Sequence, residues 1–431
     1  MGGTRALPGQ QTVPWRHPFP DRMSRASSVS RDRLRITLLE NIHPAARETL
    51  VEAGFSVELI ARALDGDELN AVIAASHIVG VRSRTKVRAA QLAHADGLLA
   101  IGCFSVGTDQ VAINDAAQAG LPVFNAPHAS TRSVAELTVG NVVALARRMG
   151  DKNLKLHRGE WDKSLSGAHE VRGRSLGIVG YGHIGQQVGI LAEAFGMRVS
   201  FHDIQKRLAL GLARPVTSLD ALLEQSDFLS LHVPDTPRTR GMIGAEQLTR
   251  MRPGSYVINL SRGSVVDLEA LRDALRSGQL AGAALDVFPV EPAPTNASFD
   301  AGFSDLPNVI LTPHVGGNTE EAQRDIGIEV ANSFIGFIDR GSTEGAVNFP
   351  QVNLPALPGT HRILNIHHNV PGALAEVNRI VSDVGANIEA QQLATTRDIG
   401  YLVMDVNKEL SDEVNSRIAA LPMSVRSRIV Y

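Results

Sequence analysis

The feature that most constrains the fold of this chain is a turn of glycines, Gly180-Tyr181-Gly182-His183-Ile184-Gly185. An apolar run, Leu176-Gly177-Ile178-Val179, precedes it, and a helix-length segment, 186–195, follows it. In that setting each glycine has its own physical reason. Gly180 permits the tight turn, Gly182 lets backbone approach a pyrophosphate, and Gly185 allows helix and strand to pack closely. The helix then directs its first amides and the positive end of its dipole at the phosphates. Asp203 follows the next apolar run, 198–201, where a carboxylate would accept hydrogen bonds from the adenosine ribose and repel a 2′-phosphate. NAD is therefore expected over NADP, with Lys206 and Arg207 close by as the opposing feature.

The same alternation runs through most of the chain. From residue 33 onward, candidate strands at 34–39, 77–81, 98–101 and 122–125 are separated by helix-length segments, the first of them 44–54. Further strands are expected at 176–179, 198–201, 228–231, 256–259, 283–285 and 309–311. Parallel βαβ units give this pattern, and six strands with helical crossovers fit a doubly wound sheet. Between the two sets, 133–155 reads as one long helix with no internal proline. The stretch Asn353-Leu354-Pro355-Ala356-Leu357-Pro358-Gly359 breaks the pattern and reads as a linker. After it come a strand (362–367), a helix (372–384) and two strands about a turn at Arg397-Asp398. A helix (411–420) and a strand (425–430) complete a βαββαβ module. The expected class is α/β: two Rossmann-like doubly wound parallel-sheet domains plus a C-terminal ferredoxin-like βαββαβ domain.

Composition removes several classes of function. Hydrophobic residues at 43% and charged residues at 20% suit packed cores. A net charge of -3 and 4% aromatics supply neither the basic field nor the stacking platform that nucleic acid needs. No apolar run approaches the roughly 20 residues that span a bilayer. Neither a nucleic-acid nor a membrane partner is therefore expected. Cys103 is the single cysteine, so an intramolecular disulfide is impossible and a reducing, cytoplasmic location is the simplest reading. Cys103 itself reads as a small core residue. There is no His-Glu-x-x-His, no cysteine cluster and no Gly-x-Ser-x-Gly elbow, so neither a metal nor a serine nucleophile is implied. Residues 1–32 hold prolines, glycines and a Ser/Arg-rich run without apolar periodicity. They read as a disordered extension, preceding a later start at Met23.

Arg262, Glu291 and His314 each follow a candidate strand or its loop, where open α/β sheets place their ligands. Oxidation of a hydroxy acid requires a base for the hydroxyl proton while hydride leaves carbon. Histidine suits that step because its ordinary pKa lies near neutrality. A carboxylate such as Glu291 would orient the ring and raise its pKa. Arg262 would grip a substrate carboxylate bidentately. With 14 histidines in the chain, these residue types alone leave the assignment open.

Longer stretches narrow it. They are Val79-Gly80-Val81-Arg82-Ser83-Arg84-Thr85, Ile101-Gly102-Cys103-Phe104, Thr131-Arg132-Ser133-Val134-Ala135-Glu136, His232-Val233-Pro234 and Asn259-Leu260-Ser261-Arg262-Gly263. Leu285-Asp286-Val287-Phe288-Pro289-Val290-Glu291-Pro292 and Thr312-Pro313-His314-Val315-Gly316-Gly317 complete the set. Together with the glycine turn they resemble the D-isomer specific 2-hydroxyacid dehydrogenase family, over 34–431. Within it they are similar to the members that oxidise 3-phospho-D-glycerate with NAD in serine synthesis. The resemblance implies that Arg262 binds the substrate carboxylate, Glu291 tunes the histidine and His314 exchanges the proton. It also implies that His183, Ile184, Asp203, Leu260, Ser261, Asp286, Gly316 and Gly317 line the NAD site, with Asp286 near the nicotinamide carboxamide.

For the substrate, the resemblance gives Arg82, Ser83 and Arg84 a role: Ser83 and local amides would hold the carboxylate, and the guanidinium groups the phosphate. Lys163 would reach a neighbouring subunit's substrate site from a dimer arm. Asp109 stands where asparagine is common and is left out of the site. The implied division is 33–129 with 317–352 for substrate, 130–316 for NAD, 353–361 as linker and 362–431 as regulatory domain. Reverse reduction of other 2-oxo acids such as 2-oxoglutarate is a further implication. The alternatives are a dehydrogenase of glycerate or lactate and, more remotely, an NAD-sensing corepressor.

The C-terminal module resembles an ACT domain on the stretch Ile366-His367-His368-Asn369-Val370-Pro371-Gly372. The resemblance implies L-serine as effector, held by His367, Asn369 and the helix N-terminus, with Asn387 from the partner chain. Edge-to-edge pairing of such modules implies a homo-oligomer, with a tetramer the family expectation. The family's Gly-Gly hinge is replaced here by Pro358-Gly359-Thr360.

Overall fold

The computed structural model describes residues 31–292 and 297–430. The expected extension, 1–32, lies outside them except for Arg31 and Asp32, which with Arg33 form a 3-10 turn. Arg31 pairs there with Asp339 at 2.8 Å.

The first sheet holds β1 (Arg35–Leu39), β2 (Ser56–Ile60), β3 (Ile78–Val81), β4 (Ala100–Cys103) and β5 (Val123–Phe124). It is parallel, in the order β2-β1-β3-β4-β5. Ile78-Val79-Gly80-Val81 is buried at every position, as a central parallel strand covered on both faces should be. β2 was not anticipated. It lies on the edge with only partial burial, so Ser56-Val57-Glu58-Leu59-Ile60 lacks an apolar stripe. The helix Glu320–Arg340 returns to this sheet and buries Phe334, edge-on to Phe104 and Phe124. Gly102 has no room for a Cβ because the Phe334 ring lies against it.

The second sheet runs β12-β11-β10-β9-β6-β7-β8 and is also parallel. Its strands are β6 (Ser175–Val179), β7 (Arg198–His202), β8 (Arg214–Pro215), β9 (Phe228–Leu231), β10 (Ser255–Asn259), β11 (Leu280–Leu285) and β12 (Val309–Leu311). The order reverses between β6 and β9, which makes the doubly wound switch point. Two expectations need correction. No helix links β11 to β12 among the described residues; a loop that carries Glu291 does so. The long helix 133–155 is two helices, Thr131–Ala146 and Met149–His157, broken at Arg148 with φ 53°. The break turns Asp151 so that it pairs with Arg148 and accepts the Asn308 amide at 2.8 Å, a tertiary contact no local signal announces.

The third sheet is antiparallel, β14-β15-β13-β16, from β13 (Thr360–His368), β14 (Ile388–Thr395), β15 (Ile399–Asn407) and β16 (Ser424–Val430). One face packs under Ala373–Val384 and Ser411–Ala419 through Ile363, Val377, Leu402 and Val414. The other face, Leu364, Ile366, Tyr401 and Val403, joins the core of the first sheet. Arg426 anchors this docking by donating to the carbonyls of Ala119 and Ala95, with a further contact to that of Leu98.

Candidate active site

At the second sheet's switch point, β6 ends on the glycine turn. Gly180 has φ 89°, and a Cβ there would sit 2.5 Å from the His232 carbonyl oxygen at the end of β9. Gly185 is pressed against the Gly180 carbonyl. Gly182 differs: a Cβ there would meet nothing within 4 Å. Packing therefore accounts for Gly180 and Gly185, and the open space at Gly182 fits a ligand backbone that needs the room. Gly182 caps the helix His183–Ala194, twelve residues long, so its free amides face that space. His183 lies on the turn with its ring 4.3 Å from that of His128, which ends the first sheet's last loop. Burial and the neighbouring His128 and Arg207 push His183 below the usual histidine value. His232 Nε2 lies 2.8 Å from Ser230 Oγ, and burial pushes that imidazole down to about 4, so it stays neutral.

Asp203 follows β7 and is already engaged. Its carboxylate accepts the Tyr181 and Gln205 amides, each at 2.8 Å, and Arg207 Nε lies 3.5 Å away. An ionised carboxylate offers about four acceptor positions, so two amides leave capacity for ribose hydroxyls.

Three loops at the carboxyl ends of β10, β11 and β12 bring Arg262, Glu291 and His314 to one side of the crevice. Arg262 is held by Asn259, whose Nδ2 donates to the Arg262 carbonyl at 3.0 Å, while Arg262 Nη1 donates to the Ser261 carbonyl at 2.8 Å. Ser261 in turn donates to Asn259 Oδ1, and Leu260 beside it is buried. Gly263 packs directly on the Phe288 backbone, which draws the Arg262 loop against the Glu291 loop. Glu291 Oε1 accepts the Phe288 amide at 3.1 Å, and Oε2 meets His314 Nδ1 at 2.8 Å. That hydrogen bond is the largest influence on His314 and raises its pKa against the opposing burial. Burial works to raise Glu291, but the His314 hydrogen bond and charge outweigh it and the net direction is down. Asp286, 1% exposed, organises the histidine's loop. Its carboxylate accepts Thr312 Oγ1 and the Val315 and Gly316 amides, and its carbonyl accepts the His314 amide. Gly316 lies against Asp286, and Gly317 against Ser130 at the start of Thr131–Ala146.

Across the crevice, the first sheet supplies two loops from adjacent strands. The loop after β4 brings Asp109 Oδ2 to 3.8 Å from Arg262 Nε, with Gly107 giving the guanidinium room. Asp109 thus faces the expected substrate arginine, a placement the sequence reading left aside. The loop after β3 holds Arg82, Ser83 and Arg84. Its amides are mostly committed: Glu40 accepts those of Arg82, Arg84 and Thr85 at 3.1, 2.9 and 2.8 Å. The expectation that local amides are free for a substrate carboxylate narrows to that of Ser83. Burial lowers Arg82 from the usual arginine value, with Glu40 opposing and Arg84 adding to the effect. Glu40 was missed because a lone glutamate after a strand carries no signal of its own.

Lys163 lies beyond the helix Met149–His157 on an exposed arm. There Trp161 is 77% and Leu165 87% exposed, and Lys155 pairs with Asp162 at 2.9 Å. In the C-terminal module, His367 is buried with Nδ1 3.0 Å from Asn365 Oδ1, and Asn369 donates to the Thr396 carbonyl at 2.8 Å. Asn387 is at the opposite end of the sheet, since β14 begins opposite Val406 while His367 pairs with Gly400. One chain therefore does not bring these three residues together. Among the described residues no group of three or more His, Cys, Asp or Glu side chains could hold a metal, and no helix is long and apolar enough to cross a membrane.

Residues 139–316 match the NAD binding domain of the D-isomer specific 2-hydroxyacid dehydrogenases, and 363–425 match an ACT domain of the acetohydroxyacid synthase small-subunit type. The chain belongs to the D-isomer specific 2-hydroxyacid dehydrogenase family and is an NAD-dependent oxidoreductase. Within it, the chain is similar over nearly its whole length to proteins named D-3-phosphoglycerate dehydrogenase. The one from Dictyostelium discoideum is 47% identical and covers 95% of this chain and 100% of its own length. The one from Escherichia coli K12 is 47% identical over 94% of this chain and 99% of its own. The crystal structure of D-lactate dehydrogenase from Aquifex aeolicus, complexed with NAD and lactic acid, superposes with a TM-score of 0.64. It is 27% identical and covers 73% of this chain and 100% of that one.

Proposed function

We propose that the chain oxidises 3-phospho-D-glycerate to 3-phosphohydroxypyruvate with NAD, the opening reaction of phosphorylated serine synthesis. The observation that carries the reading is the Glu291–His314 pair at 2.8 Å, set beside Arg262 in the crevice between the two parallel sheets. Glu291 fixes Nδ1, so Nε2 of His314 is the nitrogen that takes the hydroxyl proton. Arg262 holds the substrate carboxylate and polarises the forming carbonyl. NAD supplies the hydride acceptor. Gly180, Gly182, His183, Ile184 and Gly185 hold its pyrophosphate end, Asp203 its ribose, and Leu260, Ser261, Asp286, Gly316 and Gly317 the nicotinamide side. The guanidinium groups of Arg82 and Arg84 receive the phosphate, and Ser83 with its free amide helps to hold the carboxylate. In the reverse direction the same groups reduce 2-oxo acids such as 2-oxoglutarate.

The exposed Trp161 and Leu165 support burial of the arm against a second copy, which carries Lys163 to the neighbour's substrate site. The wide separation of His367 and Asn369 from Asn387 supports an L-serine site shared between two modules; that pairing, together with pairing through the arm, would make the homotetramer that the family resemblance implies. The division that fits is 33–129 with 317–352, 130–316, and 362–431 after the linker 353–361. A single, buried cysteine suits a cytoplasmic setting.

Steady-state turnover with 3-phospho-D-glycerate and NAD should fall by about 10²–10⁴-fold in His314→Ala, the usual worth of a positioned base. Undiminished turnover in that variant removes His314 from the reaction. L-serine should inhibit the intact chain and lose its effect in Asn369→Ala; an intact chain indifferent to serine removes the effector but leaves the catalytic reading.

A further inference from the structure

The first sheet has its own switch point, between β1 and β3, where the order β2-β1-β3-β4-β5 reverses. Open α/β sheets form their crevice at that place. Glu40 leaves the end of β1 there, and the Arg82 loop leaves the end of β3. Glu40 is 2% exposed, and its carboxylate gathers the amides of Arg82, Arg84 and Thr85 at 2.8–3.1 Å. Arg84 Nε approaches the same carboxylate at 3.7 Å. The backbone is bent to allow this: Glu40 and Asn41 have φ 62° and 53°, successive left-handed residues that both carry a Cβ. Such conformations persist where the surroundings enforce them, and they gather at functional sites.

We infer that Glu40 is the positioning residue for the Arg82–Ser83–Arg84 loop and sets the preference for a phosphorylated acid. Three amides curled around one carboxylate form an anion nest whose anion is built into the protein. The nest turns Ser83, the amide that Glu40 leaves out, to the exposed apex of the loop. It also fixes the backbone from which both guanidinium groups extend, so that little ordering remains when a dianionic phosphate arrives. Its charge offsets that of two adjacent arginines while the crevice holds no anion. The inference rests on the reading that this loop receives the phosphate.

The test is Glu40→Gln in the full chain. A carboxamide keeps the shape but has one acceptor oxygen and sets an NH₂ group against a loop amide. KM for 3-phospho-D-glycerate should rise about tenfold or more, as expected when charge-assisted hydrogen bonds are lost. KM for D-glycerate should rise less, KM for NAD should stay within about twofold, and kcat should fall less than KM rises. Should that variant not fold, Glu40→Asp, which keeps the charge on a shorter side chain, is expected to show a smaller rise in the same KM. An unchanged preference for the phosphorylated acid in either folded variant overturns the inference. Arg84→Ala separates the two ideas. If it erases the preference while Glu40→Gln does not, the phosphate reading stands and the role of Glu40 fails. If the unmodified chain shows no preference at all, the phosphate reading itself fails.

Discussion

His314 has φ 54°, a left-handed backbone that costs a residue with a Cβ about 1–3 kcal/mol. The strain is held by Asp286, which accepts the His314 amide through its carbonyl and the next two amides through its carboxylate. The imidazole is thereby aimed at Glu291 instead of following the loop. The Glu291 hydrogen bond raises the His314 pKa, which gives a signed prediction. Oxidation needs the neutral ring, so its rate falls as pH drops through the raised value. In Glu291→Gln the acid limb of the kcat/KM profile for oxidation should move to lower pH and the plateau should fall. A limb that stays in place or moves up contradicts the pairing. Arg262, Glu291 and His314 were legible as candidates because their residue types suit oxidation of a hydroxy acid and each follows a candidate strand or its loop, and the structure brings Glu291 to 2.8 Å from His314. The roles of Asp286 as loop organiser and Glu40 as nest anion were not, since a buried carboxylate is recognised by the amides it collects, and these are distant in sequence.

The glycine turn makes the same distinction between ligand and packing at the scale of an element. Gly185 touches backbone and Gly182 touches nothing, so their substitutions should separate. Gly185→Ala should lower the thermal midpoint and NAD affinity together, because a Cβ pushes the helix from its strand. Gly182→Ala should leave the midpoint within about 1 °C, a change below about 0.5 kcal/mol, while raising KM for NAD. A matched loss of stability at both positions would remove the ligand argument for Gly182. The central parallel strands were readable as apolar runs because both of their faces are buried. The edge strand β2 and the two-residue β8 were not, because neither presents a buried stripe. The break at Arg148 was hidden for a related reason: Arg148 is itself neither proline nor glycine, and the neighbouring Asp151 that pairs with it is tied to Asn308, far along the chain.

Across the whole molecule, two parallel sheets present loops from the carboxyl ends of their strands to one crevice. The third sheet docks on the core of the first by the face that its own helices leave bare. The element order of that module was legible from its alternation of strands and helices. Its docking was not, because Tyr401 donating to the Gly341 carbonyl at 2.7 Å and Arg426 capping carbonyls of the first unit join residues 60 to 331 positions apart. This arrangement gives the third sheet contact with the unit of the first sheet rather than with the glycine turn. We propose that this crevice is built for a phosphorylated 2-hydroxy acid. The most direct test is the ratio of kcat/KM for 3-phospho-D-glycerate to that for D-glycerate, followed through the absorbance of reduced nicotinamide at saturating NAD. A ratio of about 10² or more is predicted, as two or more charge-assisted contacts to the phosphate should give. A ratio near or below one would mean that the crevice does not select the phosphorylated acid.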